Sequence, residues 1–81
     1  MRVLFFGRLR DVAGAAALAA PPDTASLTDL RGWIAREHSL LAAAIGAAGV
    51  RVAVDGVIVP GRDAALAGVS EVAFMPPMSG G

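Results

Sequence analysis

The residues whose types could do chemistry lie at the end of the chain, Phe74-Met75-Pro76-Pro77-Met78-Ser79-Gly80-Gly81. They run from an apolar strand through two prolines to a Gly-Gly terminus, and the reactive group there is the terminal carboxylate. A carboxylate with an ordinary pKa of about 3.5 is an anion at neutral pH. Gly80 and Gly81 carry no Cβ, so the end of the chain is thin enough to enter a slot that any larger side chain would block. Pro76 and Pro77 fix φ and cannot donate to a sheet ladder, which ends the preceding strand near Met75 and projects the chain outward. The six residues after Met75 give a reach of roughly 20 Å. A Gly-Gly end after Ser is also what an inert solvated tail looks like. The absence of a linker after the last strand and the stiffening by two prolines favour a tail that is aimed.

The remaining composition narrows the chemistry. The 81 residues contain no Cys, so there is no disulfide, no thiolate metal site and no side chain to carry a persulfide. All seven basic residues are Arg, which leaves no lysine amine for a Schiff base or an isopeptide bond. Seven Asp and Glu balance them, so no global field draws nucleic acid or an anionic membrane. No apolar run is long enough to cross a bilayer, and Arg8, Arg10 and Asp11 interrupt the apolar start before it resembles a signal sequence; the chain reads as cytoplasmic. His38 is the only histidine and has no second ligand candidate nearby, so it reads as a helix-terminal residue. The hydrophobic content of 56% exceeds what a core of this size can use, which points to a surface covered by a partner.

The elements that must position the tail follow from periodicity. Val3 to Phe6 reads as a central strand with Val3 and Phe5 on one face and Arg2, Leu4 and Phe6 on the other. Gly7 ends it, Arg8 to Ala13 forms a brief helical turn closed by Gly14, and Ala15 to Ala20 is an ambiguous return strand before Pro21-Pro22. Ser26 as N-cap and Asp29 at N3 start a helix running to about His38, with Leu27, Leu30 and Ile34 on its buried stripe and Trp33 at the edge. Leu40 to Ile45 adds a helical turn. Val50 to Val54 and Val57 to Val59 flank an Asp55-Gly56 hairpin turn. Arg62 to Gly68 reads as a turn or a single helical turn, and Glu71 to Met75 is the last strand, with Val72 and Phe74 inward and Met75 outward. Asp11 and Glu71 read as solvated charges. One main helix across one face of a mixed sheet of about five strands, with first and last strands adjacent, is an α+β architecture of the β-grasp type. The expected division is a β-grasp domain over residues 1–75 and a flexible Gly-Gly tail over 76–81.

Val3-Leu4-Phe5-Phe6, Val54-Asp55-Gly56 and Glu71-Val72-Ala73-Phe74-Met75-Pro76-Pro77-Met78-Ser79-Gly80-Gly81 together resemble the small subunit of molybdopterin synthase, over the whole chain. Departures are Val69-Ser70 where an acidic residue more often precedes Glu-Val, Asp55 where Asn is common, and Met75 and Met78 where Phe and Val are usual. The resemblance implies a ubiquitin-like sulfur carrier whose Gly81 is adenylated with ATP by an activating enzyme, receives sulfur from a donor as a thiocarboxylate, and enters the large synthase subunit within a heterotetramer. There the sulfur passes to cyclic pyranopterin monophosphate. It implies a non-catalytic subunit that binds no cofactor itself. Other readings are a sulfur carrier for thiamine or another thiolation pathway, a protein modifier conjugated through Gly81, and an interaction domain with an idle tail.

Alternation adds an interaction surface. Val3, Phe5, Val72 and Phe74 fill the inward face of two neighbouring strands, so Phe6 and Met75 fall on the opposite face, where no helix covers them. The expected docking surface, partly implied by the resemblance, is Phe6, Ile58 and Met75 with Arg10 at the rim, continuing into Pro76, Pro77, Met78, Ser79 and Gly80.

Overall fold

In a computed structural model that describes residues 1–77, strand β1 (Arg2–Phe5) buries Val3 and Phe5 and leaves Arg2 and Leu4 on the other face. The strand stops one residue short of the expected Phe6. The Phe6 N–H still donates to the Phe74 carbonyl at 3.1 Å, but Gly7 at φ 56° and ψ −133° then turns the chain out of the sheet. Helix α1 (Arg8–Ala13) follows, burying Leu9 and closing on Gly14 in the left-handed conformation at φ 74°. The alanine segment does return as a strand, β2 (Ala17–Ala19), antiparallel to β1.

Helix α2 (Leu27–Glu37) begins where the side-chain chemistry dictates. The Ser26 hydroxyl accepts a hydrogen bond from the Asp29 N–H at 3.1 Å, and Leu27, Leu30 and Ile34 are buried. A second side chain, a carboxylate, serves the same end: Asp63 Oδ1 accepts from the Thr28 N–H at 3.0 Å and from the Ala64 N–H at 2.9 Å. The Thr28 backbone hydrogen bond is the main reason the Asp63 carboxyl sits below its ordinary range. His38 closes α2 and opens helix α3 (Ser39–Ile45), half-buried with its ring edge-on to the half-buried Trp33 at 5.7 Å.

Strands β3 (Arg51–Val54) and β4 (Val57–Val59) are joined by Asp55 at φ 46° and Gly56 at φ 84°, the two positive values that let a two-residue hairpin match strand twist. The segment from Pro60 to Ser70 contains no helical turn. Its backbone groups are spent elsewhere: Ala65 bridges Ser26, Leu27 N–H donates to the Ala64 carbonyl and Leu66 N–H to the Ala25 carbonyl, which seats Leu66 in the core. Strand β5 (Glu71–Met75) then enters the middle of the sheet.

The sheet order is β2-β1-β5-β3-β4, with β5 parallel to β1 and every other pair antiparallel. The core gathers Leu27, Leu30, Ile34, Leu41 and Ile45 from α2 and α3 against Val3, Phe5, Val52, Val72 and Phe74 from the sheet. Phe5 and Phe74 stack with ring centroids 5.8 Å apart, and each such buried side chain contributes on the order of 1.5–3 kcal/mol. A mixed five-stranded sheet gripping a helix on one face is the β-grasp fold. No helix among the described residues is long and apolar enough to cross a membrane.

Asp55 does more than occupy a turn. Its Oδ1 accepts from the N–H groups of Ser70 (3.1 Å) and Glu71 (2.9 Å), and its own N–H donates to the Glu71 carbonyl at 2.8 Å. The hairpin tip is thereby tied to the start of β5, the strand that carries the tail. Asn presents the same acceptor oxygen and also tolerates positive φ. Asp55→Asn is therefore expected to leave thermal stability nearly unchanged, whereas Asp55→Ala lowers it by about 1–2 kcal/mol, measured by denaturant titration.

Candidate functional site

The tail begins on a seat built from two glycines. Pro76 is half-buried over Gly7, where a Cβ would lie 2.9 Å from Pro76 Cγ, and Pro77 lies over Gly49, where a Cβ would lie 2.9 Å from Pro77 Cβ. Both glycines have positive φ, 56° at Gly7 and 87° at Gly49, so their backbone and their lack of a side chain serve the same contact. The prolines end the strand at Met75, as expected, and pack along the body as they leave it. Beneath them lies an apolar groove of about 260 Å³ lined in part by Leu9 and Val12 of α1, Ala44 of α3 and Val50. Gly7 and Gly49 were not among the site residues expected from the sequence. Their only local signal is a glycine directly after an apolar strand and another directly before one.

The register of the sheet places the expected docking residues. On the face away from the helices, Leu4 stands beside Ala73, Ala73 opposite Ala53, and Ala53 opposite Ile58. One step along, Met75 stands opposite Arg51, and Phe6 follows Phe5 beside it in the parallel register with β5. Phe6 is 47% exposed and Ile58 44% exposed, while Met75 is half-buried. Ala53 and Ala73 are small and sheltered between these larger neighbours, each 8% exposed although no helix covers them. The structure therefore brings Phe6, Ile58 and Met75 onto one apolar face. Arg10 lies exposed on α1, off the sheet rows. Met78, Ser79, Gly80 and Gly81 lie outside the described residues.

Direction matters as much as composition. β5 runs from Glu71 to Met75, so the tail leaves at the end of the sheet where Phe6, Met75 and Arg51 lie, next to the glycine seat. Among the described residues no group of His, Cys, Asp and Glu is arranged to hold a metal ion.

Relatives fit this geometry. In the crystal structure of SAMP1 from Haloferax volcanii the chain finds a similar fold, with a TM-score of 0.83 and 25% identity over 100% of this chain and 98% of that one. No curated protein matches the sequence. Residues 3–81 match the ThiS family, a span that takes in β1 from Val3, the glycine seat and the Gly-Gly end together, and the chain belongs to that family of ubiquitin-like sulfur carriers.

Proposed function

We propose that this protein is the sulfur-carrying small subunit of molybdopterin synthase. Gly81 is adenylated with ATP by an activating enzyme, exchanges the adenylate for sulfur to become a thiocarboxylate, and donates that sulfur to cyclic pyranopterin monophosphate inside the large subunit. The observation that carries the reading is the exit of a Phe-Met-Pro-Pro tail from the sheet end that also bears the exposed Phe6 and Met75 row. The same apolar face serves both partners in turn, which makes the two dockings mutually exclusive. With no Cys in the chain, the terminus is the one group suited to carry sulfur.

The family match supports equally a carrier for thiamine or another thiolation pathway, in which the terminal chemistry is the same and the acceptor differs. Intact-mass measurement of protein taken from cells tests the shared step. Exchange of one oxygen for sulfur at the terminus is expected; a persistently unmodified acid, or adducts of protein size, would count against it. Reconstitution of the thiocarboxylated protein with the large subunit and cyclic pyranopterin monophosphate then separates the pathways, since only the synthase subunit yields molybdopterin.

Phe6, 47% exposed, is the aromatic side chain of the docking face. Truncating such an interface residue typically costs more than about 1 kcal/mol of binding. Phe6→Ala is expected to keep its unfolding temperature and to bind the large subunit at least several-fold more weakly by calorimetry. Unchanged affinity would move the docking surface elsewhere on the molecule.

A further inference from the structure

A cavity of about 290 Å³ borders the docking face at Arg51 and Ile58, and the sulfur-carrier reading assigns it no ligand. It lies between the end of α3 and the β4 edge, and Arg31, Arg51 and Arg62 line it together with Ile45, Val52 and Val59. We infer that this cavity binds a small phosphate-type oxyanion, held chiefly by the guanidinium groups of Arg31 and Arg62.

Arg31 is the telling residue. It projects from α2 over the ring of the fully buried Phe74, its guanidinium carbon 5.7 Å from the ring centroid, and its Nε is buried without a hydrogen-bond partner among the described residues. A buried N–H of a permanently charged group left unpaired is costly, and an anion in the cavity beside the guanidinium offsets part of that cost through its charge. The nearest carboxylate that acts on Arg31 is Asp63, whose Oδ1 is already engaged by the N–H groups of Thr28 and Ala64. Burial, and then the like charge of Arg62, hold the Arg31 guanidinium below its ordinary basicity, and the opposing charge of Asp63 only partly offsets them.

The C-terminal end of α3 borders the same cavity and presents carbonyls, which oppose an anion. Gly46 N–H already donates to the Ala42 carbonyl at 3.2 Å and Ala47 N–H to the Ala44 carbonyl at 3.3 Å. The half charge that a helix end represents is in any case outweighed by two or three full positive charges. Planar guanidinium forks match tetrahedral oxyanions. The volume is at the lower limit of small-molecule pockets, roughly 300 Å³, which suits inorganic phosphate or the phosphoryl group of a small ester and not a macromolecular surface.

The test is an NMR titration of the whole 15N-labelled protein, following the Arg Nε–H signals and the amides of Gly46, Gly61 and Arg62. Inorganic phosphate is added against sodium chloride at constant ionic strength, with ADP in a parallel series. A saturable shift of the Arg31 Nε–H with phosphate, weakened about tenfold or more in Arg62→Gln, is expected. Tighter saturation by ADP than by phosphate assigns the group to a nucleotide, and equal saturation assigns it to free phosphate. Linear shifts that chloride reproduces, or saturation unchanged in both Arg62→Gln and Arg31→Gln, overturn the inference. Arg62 is exposed on a loop, so Arg62→Gln folds even where Arg31→Gln does not.

Discussion

A chain that ends at Gly80 is expected to fold as the full protein does and to deliver no sulfur. Among the described residues the core is complete by Phe74, so thermal unfolding should be unchanged. The shortened chain still ends in a glycine carboxylate, and its intrinsic chemistry is the same. What it loses is position. One residue of extended chain spans about 3.5 Å, and a near-attack geometry requires reacting atoms about 3–3.5 Å apart, so the shortened terminus stops one full contact distance short of the reacting centre. Because the diproline is seated on Gly7 and Gly49, the body cannot easily slide forward to restore the reach. Adenylation by the activating enzyme and sulfur transfer in the large subunit should both fall below detection in a reconstituted assay. Full activity of the protein ending at Gly80 would sink the proposed role of Gly81.

The elements that could be read from the sequence are those fixed by short-range chemistry. Ser26 with Asp29 specifies a helix start within four residues, Asp55-Gly56 specifies a hairpin within two, and alternation in β1 and β5 sorts Val3, Phe5, Val72 and Phe74 from Phe6 and Met75. Once the first and last strands are paired, the apolar outer row follows from parity alone, since a one-residue slip would put Arg2 in the core. What could not be read depends on partners far apart in the chain. Asp63 looks like a loop carboxylate until its oxygen is found on the Thr28 N–H, and Asp55 like a turn residue until it meets Ser70 and Glu71. The segment from Pro60 to Ser70 forms no helical turn because its backbone is committed to Ala25, Ser26 and Leu27, commitments invisible in the local pattern. The glycine seat is the clearest instance. Gly7 and Gly49 each look like simple strand punctuation, and only the register of β1, β5 and β3 brings them under consecutive prolines.

That seat makes a separable prediction about how the tail is aimed. Three positive-φ glycines offer a comparison: Gly7 and Gly49 face the diproline at 2.9 Å for an added Cβ, whereas an added Cβ at Gly14, φ 74°, meets nothing within 4 Å. Alanine at any of the three incurs backbone strain, on the order of 1–3 kcal/mol. Only at Gly7 and Gly49 must the prolines also move, and a displacement of about 1 Å far from the reacting atoms can lower a rate about a hundredfold. Gly7→Ala combined with Gly49→Ala is therefore expected to reduce single-turnover sulfur transfer from a preloaded thiocarboxylate by about two orders of magnitude. Gly14→Ala should lose stability through backbone strain alone and keep its transfer rate. The assay is run well below the unfolding midpoint of each variant, so that folded fraction does not enter. If Gly14→Ala slows transfer as much as the pair does, strain alone explains the loss; if the pair transfers at the normal rate, the diproline is not aimed by its glycine seat and the large subunit alone sets the path of the tail.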